Sequence, residues 1–191
     1  KGVCLSAEAM LQVADSLRDA CSSLDPQQHL ILLPLAVLLD NLGAYTALLN
    51  GASITVPADS GLHGSQLDMP RLLQVLNQHQ PHSLILVPQL LQALLQAADA
   101  GAPLPQSLRF IAVGGGRVAP ALLERATQLG LPVFEGYGLS ECASVVCLNR
   151  PGYQRAGTVG KPLPHVDIKL ADDGEILVRG ARALGYLGEP A

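Results

Sequence analysis

Apolar and polar positions along the chain alternate between helical and strand spacing. Met10, Leu11, Val13, Ala14 and Leu17 recur at helical intervals, with Ser6 placed to cap the helix and Glu8 in its first turn. The short apolar run His29 to Leu33, closed by Pro34, has the pattern of a buried strand. A helix predicted from Leu38 to Leu49 stops at Asn50-Gly51. The alternation continues with a strand Ser53 to Val56, a helix Met69 to Asn77, a strand Ser83 to Val87 and a helix Gln89 to Ala98. A strand Leu108 to Val113, a helix Ala119 to Leu129 and a strand Val133 to Glu135 follow. Strands separated by helices predict an α/β fold, a mostly parallel sheet with helices on both faces. Ligands of such sheets bind beyond the carboxyl ends of the strands.

The pattern changes near Asn149. After the loop Arg150-Pro151-Gly152 come two alternating runs, Val166 to Leu170 and Glu175 to Val178, separated by Asp172-Asp173-Gly174, a hairpin signal. Two parts are therefore expected: an α/β subdomain over 1–149, and the start of a small, barrel-like β subdomain over 150–191.

Composition narrows the function. Of 191 residues, 49% are hydrophobic and 15% charged, so a real core is available and little charge is left for open surface. A net charge of -4, no basic run and 3% aromatic residues argue against nucleic acid as a partner. Four cysteines, with no C-x-x-C pair, read as buried thiols of a reducing compartment. No apolar run has the length of a membrane span, and the chain begins with Lys1, so an earlier part of a longer chain is expected. His79 and His82 flank Pro81 and read as surface residues rather than metal ligands.

Candidate chemistry concentrates in Phe134-Glu135-Gly136-Tyr137-Gly138-Leu139-Ser140-Glu141, after a predicted strand. Two glycines flanking one aromatic permit close backbone approach to a ligand beside a flat ring. A hydroxyl and a carboxylate follow, the parts that a nucleotide with its metal needs. A glycine-rich turn with a surface glutamate is the plain alternative. A hydrolase nucleophile elbow at Ser140 is disfavoured, because its pattern needs glycine where Cys142 stands.

The run Gly136-Tyr137-Gly138-Leu139-Ser140-Glu141 resembles the Y-G-x-[ST]-E signature of the adenylate-forming (AMP-binding) superfamily, which holds acyl-CoA synthetases, luciferases and the adenylation domains of peptide synthetases. Three further segments match in order. Lys1-Gly2-Val3 is similar to the tail of the superfamily's phosphate loop. Val113-Gly114-Gly115-Gly116-Arg117 resembles its small-residue strand end at the adenine pocket, with Gly116-Arg117 where many members have Ala-Pro. Gly157-Thr158-Val159-Gly160-Lys161-Pro162 and Gly174-Glu175-Ile176-Leu177-Val178-Arg179-Gly180 look like its structural segments in the β part.

The resemblance is closest to acyl-CoA synthetases of the long-chain fatty acid–CoA ligase type and implies an internal piece of a longer enzyme. That enzyme would activate a carboxylic acid, a fatty acid by preference, with ATP and Mg²⁺ as an acyl-adenylate, and pass the acyl group to coenzyme A. It implies Ser140 and Glu141 in catalysis, with Glu141 the metal ligand. It implies Lys1, Gly115, Gly116, Arg117, Glu135, Gly136, Tyr137 and Gly138 at the nucleotide, and Val37, Gly114 and Leu139 at the acid. Val37 stands where relatives often have His. The plain reading of Leu33 to Asp40 is core packing; the other is an apolar acyl pocket. A ribose-binding aspartate and a catalytic lysine of the superfamily would lie in the missing parts, so these residues alone would fold without catalysing. The location implied is cytoplasmic, with peripheral membrane attachment of the longer protein as an option. Fatty acyl-AMP ligases and peptide-synthetase adenylation domains are the alternatives inside the superfamily, and a nonenzymatic α/β binding domain the one outside it.

Overall fold

The computed structural model describes residues 2–64 and 66–189. Lys1, assigned above to a phosphate loop, lies outside them. In chain order the elements are β1 (Val3–Cys4), α1 (Ala7–Cys21), β2 (Gln28–Leu30), α2 (Leu38–Leu49), β3 (Ser53–Thr55), β4 (Leu62–His63) and β5 (Gln66–Leu67). Next come α3 (Met69–His79), β6 (Ser83–Leu86), α4 (Pro88–Asp99), β7 (Phe110–Val113), α5 (Pro120–Gln128) and β8 (Val133–Tyr137). The chain then adds β9 (Cys147–Leu148), β10 (Lys161–Pro162), β11 (Val166–Leu170), β12 (Ile176–Gly180) and β13 (Gly185–Tyr186).

Seven strands form the main sheet in the order β10-β9-β8-β7-β6-β2-β3. The five from β3 to β8 run parallel, and β9 and β10 complete one edge antiparallel. Alternation along each strand divides the side chains between two cores. Leu84, Leu86, Ile111, Val113 and Val133 pack with α3, α4 and α5. Phe110 and Phe134 point the other way, onto α1 and Leu42 of α2, and stack with ring centroids 5.2 Å apart. The sheet is thus covered on both faces.

Local chemistry sets the helix ends. The Ser6 hydroxyl accepts the Ala9 N–H at 3.0 Å, and Asp68 accepts the Arg71 N–H at 3.0 Å ahead of Pro70. Beyond the main sheet, β11 and β12 form the hairpin expected around Asp173-Gly174. The two-residue β1 pairs antiparallel with β13, Val3 opposite Tyr186.

Several strand ends differ from their sequence reading, and two of them shape the site. The strand expected to reach Leu33 ends at Leu30. The N–H groups of Leu32 and Leu33 leave the ladder to donate to the buried Asp40 carboxylate, at 3.0 and 2.8 Å. The strand expected to stop at Glu135 continues to Tyr137, because Gly136 and Tyr137 pair with Leu148 and Cys147 of β9. Among the described residues, no helix is long and apolar enough to cross a membrane.

Candidate functional site

A cavity of about 230 Å³ lies between the sheet and the helices α1 and α2. Its floor is built in rows by strand register. His29, Ser83 and Phe110 stand side by side at the amino ends of β2, β6 and β7. Ile85 and Ala112 form the next row. At the carboxyl ends the floor gives way to Gly114 and Gly136, where no side chain stands. The walls are mainly apolar, with Leu17 from α1 and Leu38, Leu39 and Ala47 from the α2 segment.

The mouth gathers most of the sequence-predicted residues. Gly114, Gly115, Gly136, Tyr137, Gly138, Leu139, Ser140 and Val37 all line this cavity. Val37 is the N-cap of α2 and is 37% exposed, and Leu35 is 52% exposed. The expectation that Leu33 to Asp40 packs into the core therefore holds for Leu33 and Asp40 and in part for Leu38 and Leu39, which pack against the core cluster; Leu35 and Val37 stand at the surface and the rim. Arg117 and Gly116 are exposed on the loop after β7. Gly115 adopts φ +78, a left-handed conformation that glycine takes without strain.

The glycines of the signature serve the chain's own backbone first. A Cβ on Gly138 would fall 1.5 Å from the Ser144 carbonyl oxygen, and one on Gly136 would fall 3.1 Å from that of Cys147. Close approach was expected toward a ligand; the geometry shows it toward β9 and the turn before it. After Gly138 the chain makes a short 3₁₀ turn, Ser140–Cys142, and passes through Ala143 and Ser144 with φ 53 and 92. The Ser144 N–H returns to Leu139 O at 3.1 Å. This turn holds Ser140 exposed at the mouth and aims Glu141 at the last strand.

Glu141 accepts a hydrogen bond from the Tyr186 hydroxyl at 2.7 Å. That bond, helped by a backbone N–H, holds its carboxyl below the usual glutamate range and so favours the ionised form. Among the described residues no group of three or more His, Cys, Asp or Glu could cage a metal. A single ionised carboxylate can still take part in holding Mg²⁺, which is commonly bound by one or two carboxylates plus substrate phosphates.

Glu135 lies on the other face of β8, against Glu124 and Thr127 of α5, and not in the main cavity. Burial pushes its carboxyl above the ordinary range, and the Val118 N–H, donating to it, pulls it part of the way back. Its contact with Val118 anchors the exit of the glycine loop 114–117. Because the folded-state pKa is raised, the stability it contributes is fully present below the ordinary glutamate range and lost as pH rises through the raised value. Glu135→Gln keeps an acceptor for Val118 and removes the charge. The variant should gain in melting temperature over the parent as pH rises from about 4 to about 8. A gap between the two proteins that stays constant over that range would contradict this.

Sequence reasoning missed a buried polar chain under the cavity. His29 Nδ1 lies 2.9 Å from Ser83 Oγ, and His29 Nε2 lies 3.3 Å from Asp40 Oδ1. His29 is 3% exposed, Ser83 6% and Asp40 0%. Gly43 of α2 makes room for it, since a Cβ there would meet Ile85 at 2.4 Å and His29 Nε2 at 3.0 Å. The available signal was an aspartate inside the apolar start of α2, a residue that needs partners when buried.

A family model described as AMP-binding enzyme matches residues 1–187. A 2-succinylbenzoate–CoA ligase of Bacillus pumilus is 31% identical over 134 residues, 64% of this chain and 27% of that protein. A long-chain-fatty-acid–CoA ligase of Mycobacterium bovis is 46% identical over 70 residues, 36% of this chain and 12% of that protein. Among solved structures, an arginine-to-lysine variant of E. coli MenE with bound OSB-AMS superposes with TM-score 0.76 at 27% identity, over 95% of this chain and 37% of that one. The O-succinylbenzoate coenzyme A synthetase of Bacillus subtilis, in complex with ATP and magnesium ion, superposes with TM-score 0.77 at 24% identity, over 98% and 40% of the two chains. The chain thus spans about a quarter of the first relative's length and well under half of the solved chains.

Proposed function

The chain belongs to the AMP-binding enzyme family, and on that premise we propose that it forms the acyl-binding and part of the nucleotide-binding region of an AMP-forming acid–coenzyme A ligase. The observation that carries this reading is the continuity of one cavity. Its mouth is made by the two glycine-bearing strand ends and the Tyr137 to Ser140 segment, and its body is an apolar slot beneath them. A nucleotide placed across the strand ends would set its α-phosphate above an acid whose body fills the slot.

In the reaction proposed, a carboxylate oxygen attacks the α-phosphorus of ATP, the bond to the β-phosphate bridge breaks, and pyrophosphate leaves. Coenzyme A thiolate then attacks the acyl carbon and AMP leaves. Positioning and charge neutralisation carry most of such catalysis. Tyr137 offers a ring to the adenine, the exposed Ser140 hydroxyl can donate to phosphate oxygens, and Glu141 would hold Mg²⁺, whose charge offsets that of the phosphates. Gly115, Gly116 and Arg117 follow the strand end on the nucleotide side, while Val37, Gly114 and Leu139 border the acid.

The 2-succinylbenzoate ligases among the relatives move the substrate away from the fatty acid expected from sequence, toward acids with an apolar body of ring or chain. The apolar walls of the slot support that wider class. Most of each relative lies outside the region matched, so the activity is proposed for the full-length protein that carries this chain, not for these residues alone.

The test is ATP–pyrophosphate exchange by that full-length protein against a panel of aryl and aliphatic acids. Exchange should require one class of acid. Glu141→Gln should lower it by about tenfold or more, equivalent to roughly 1.4 kcal/mol of transition-state stabilisation. Exchange that is unchanged in the variant across a Mg²⁺ titration would remove Glu141 from the metal site.

A further inference from the structure

The cavity has one built polar station at its deep end. Both Asp40 oxygens accept hydrogen bonds, Oδ2 from the Leu32 and Leu33 amides and Oδ1 facing His29 Nε2. The ring proton therefore sits on Nε2, between His29 and Asp40. With that tautomer Nδ1 is the acceptor, so the Ser83 hydroxyl donates to it at 2.9 Å in preference to Gln28 O, which lies further off at 3.5 Å. This leaves Ser83 Oγ with acceptor capacity beside an otherwise apolar floor. Its neighbours in the row and the next one are Phe110, Ile85 and Ala112, none of which can compete for a hydrogen bond. Of the other polar residues at this end, Thr46 donates its hydroxyl to Leu42 O at 2.8 Å and Asn50 turns its amide toward Pro26 O.

Register gives the distance. Ser83 pairs with Phe110 and Leu86 with Val113, so Gly114 lies four residues further along the strands. At about 3.3 Å per residue the station is about 13 Å below the mouth.

We propose that Ser83, oriented by His29 and Asp40, is a specificity-determining contact that accepts a hydrogen bond from a donor group at the far end of the acid, so that the preferred substrate is an acid of medium length with an apolar middle and a distal hydroxyl. The inference rests on the ligase reading above and names the substrate class of the same cavity. An apolar slot discriminates weakly between chains of similar size, whereas a site that hydrogen-bonds one substrate group rejects analogues lacking it far more strongly. Asp40 and His29 act through Ser83 as positioning residues, since neither carries the free acceptor.

The experiment compares adenylation of ω-hydroxydecanoic acid, its ω-methoxy analogue and decanoic acid by the full-length protein, using pyrophosphate release. The hydroxy acid should be favoured in kcat/KM over both others by about tenfold, the size of one buried hydrogen bond. The methoxy acid keeps the oxygen and lacks the donor, so it should behave like decanoic acid. Ser83→Ala should lower kcat/KM for the hydroxy acid to the level of the other two acids and so abolish the preference, and Ser83→Thr, which retains the hydroxyl, should restore it. Equal losses on all three acids in Ser83→Ala would reduce Ser83 to a structural role and overturn the proposal. Adenylation of decanoic acid with no preference in the parent would overturn it while leaving the ligase reading intact. No adenylation of any acid in the wider panel would overturn both.

Discussion

Asp40→Ala should destabilise the protein by about 3 kcal/mol or more. Three donors, the amides of Leu32 and Leu33 and His29 Nε2–H, share this one fully buried carboxylate. Each buried donor left without an acceptor costs about 1–3 kcal/mol, and the alanine methyl group offers none of them a partner. Water has no ready access, since Asp40, in the first turn of α2, is 0% exposed. Asp40→Asn keeps one acceptor oxygen and should be milder, by at least about 1 kcal/mol. Urea unfolding of the two variants beside the parent checks both statements. A loss in Asp40→Ala under about 1 kcal/mol would mean that the loop after β2 relaxes to water or to other acceptors. The effect should also reach the cavity, because the loop held by Asp40 leads through Pro34 to Val37 at the rim.

Gly138→Ala should disable the signature segment. The new Cβ would lie 1.5 Å from Ser144 O and 2.8 Å from Val145 Cα, both backbone atoms that no rotamer change can remove. The turn from Leu139 to Ser144 would have to open, and with it the positions of Ser140 and Glu141. A displacement on the order of 1 Å at a reacting site lowers rates by about a hundredfold, which is the loss expected in pyrophosphate exchange by the full-length protein. Gly152→Ala is the control, since nothing lies within 4 Å of the added carbon there and only its positive φ is strained. Comparable exchange rates for the parent and Gly138→Ala would show that the turn is free to adjust.

Much of this architecture is legible from sequence because the local and tertiary signals agree. The helix Leu38–Leu49 stops where Asn50-Gly51 says it should, and the hairpin around Asp173-Gly174 is found between the two alternating runs. Leu84, Leu86, Ile111 and Val113 supply the short apolar runs of a sheet buried on both faces. The mouth of the cavity was equally legible through its glycines and Tyr137, since these carry a pattern that survives without the fold.

Other features depend on contacts that no local pattern encodes. His29, Asp40 and Ser83 are brought together by parallel strand pairing and by one helix crossing above, so each looks ordinary in its own stretch. The early end of β2 follows from the same contact, as Asp40 takes two amides that strand periodicity assigns to the ladder. Gly138 was legible as a special position, but for the wrong neighbour: Ser144 approaches it six residues later, after a turn through two left-handed residues. Glu135 follows Phe134 directly in the signature and yet faces α5 while Phe134 faces α1, because strand alternation places adjacent residues on opposite sides.

The pairing of β1 with β13 gives the region around Glu141 a cooperative character. Leu184 N–H bonds to Cys4 O, Leu187 N–H to Gly2 O and Ala183 N–H to Glu141 O, each within 2.7–2.8 Å, and Tyr186 of the same stretch holds the Glu141 carboxylate. Residues 183–187 are therefore a seam between the first residues described and the Glu141 carboxylate. Such short segments open as a unit, at a free energy below that of global unfolding. Freeing the seam releases Glu141 and Gly2-Val3-Cys4 together, so order at one is order at the other, and a disturbance at either end of the sequence is felt at the same carboxylate.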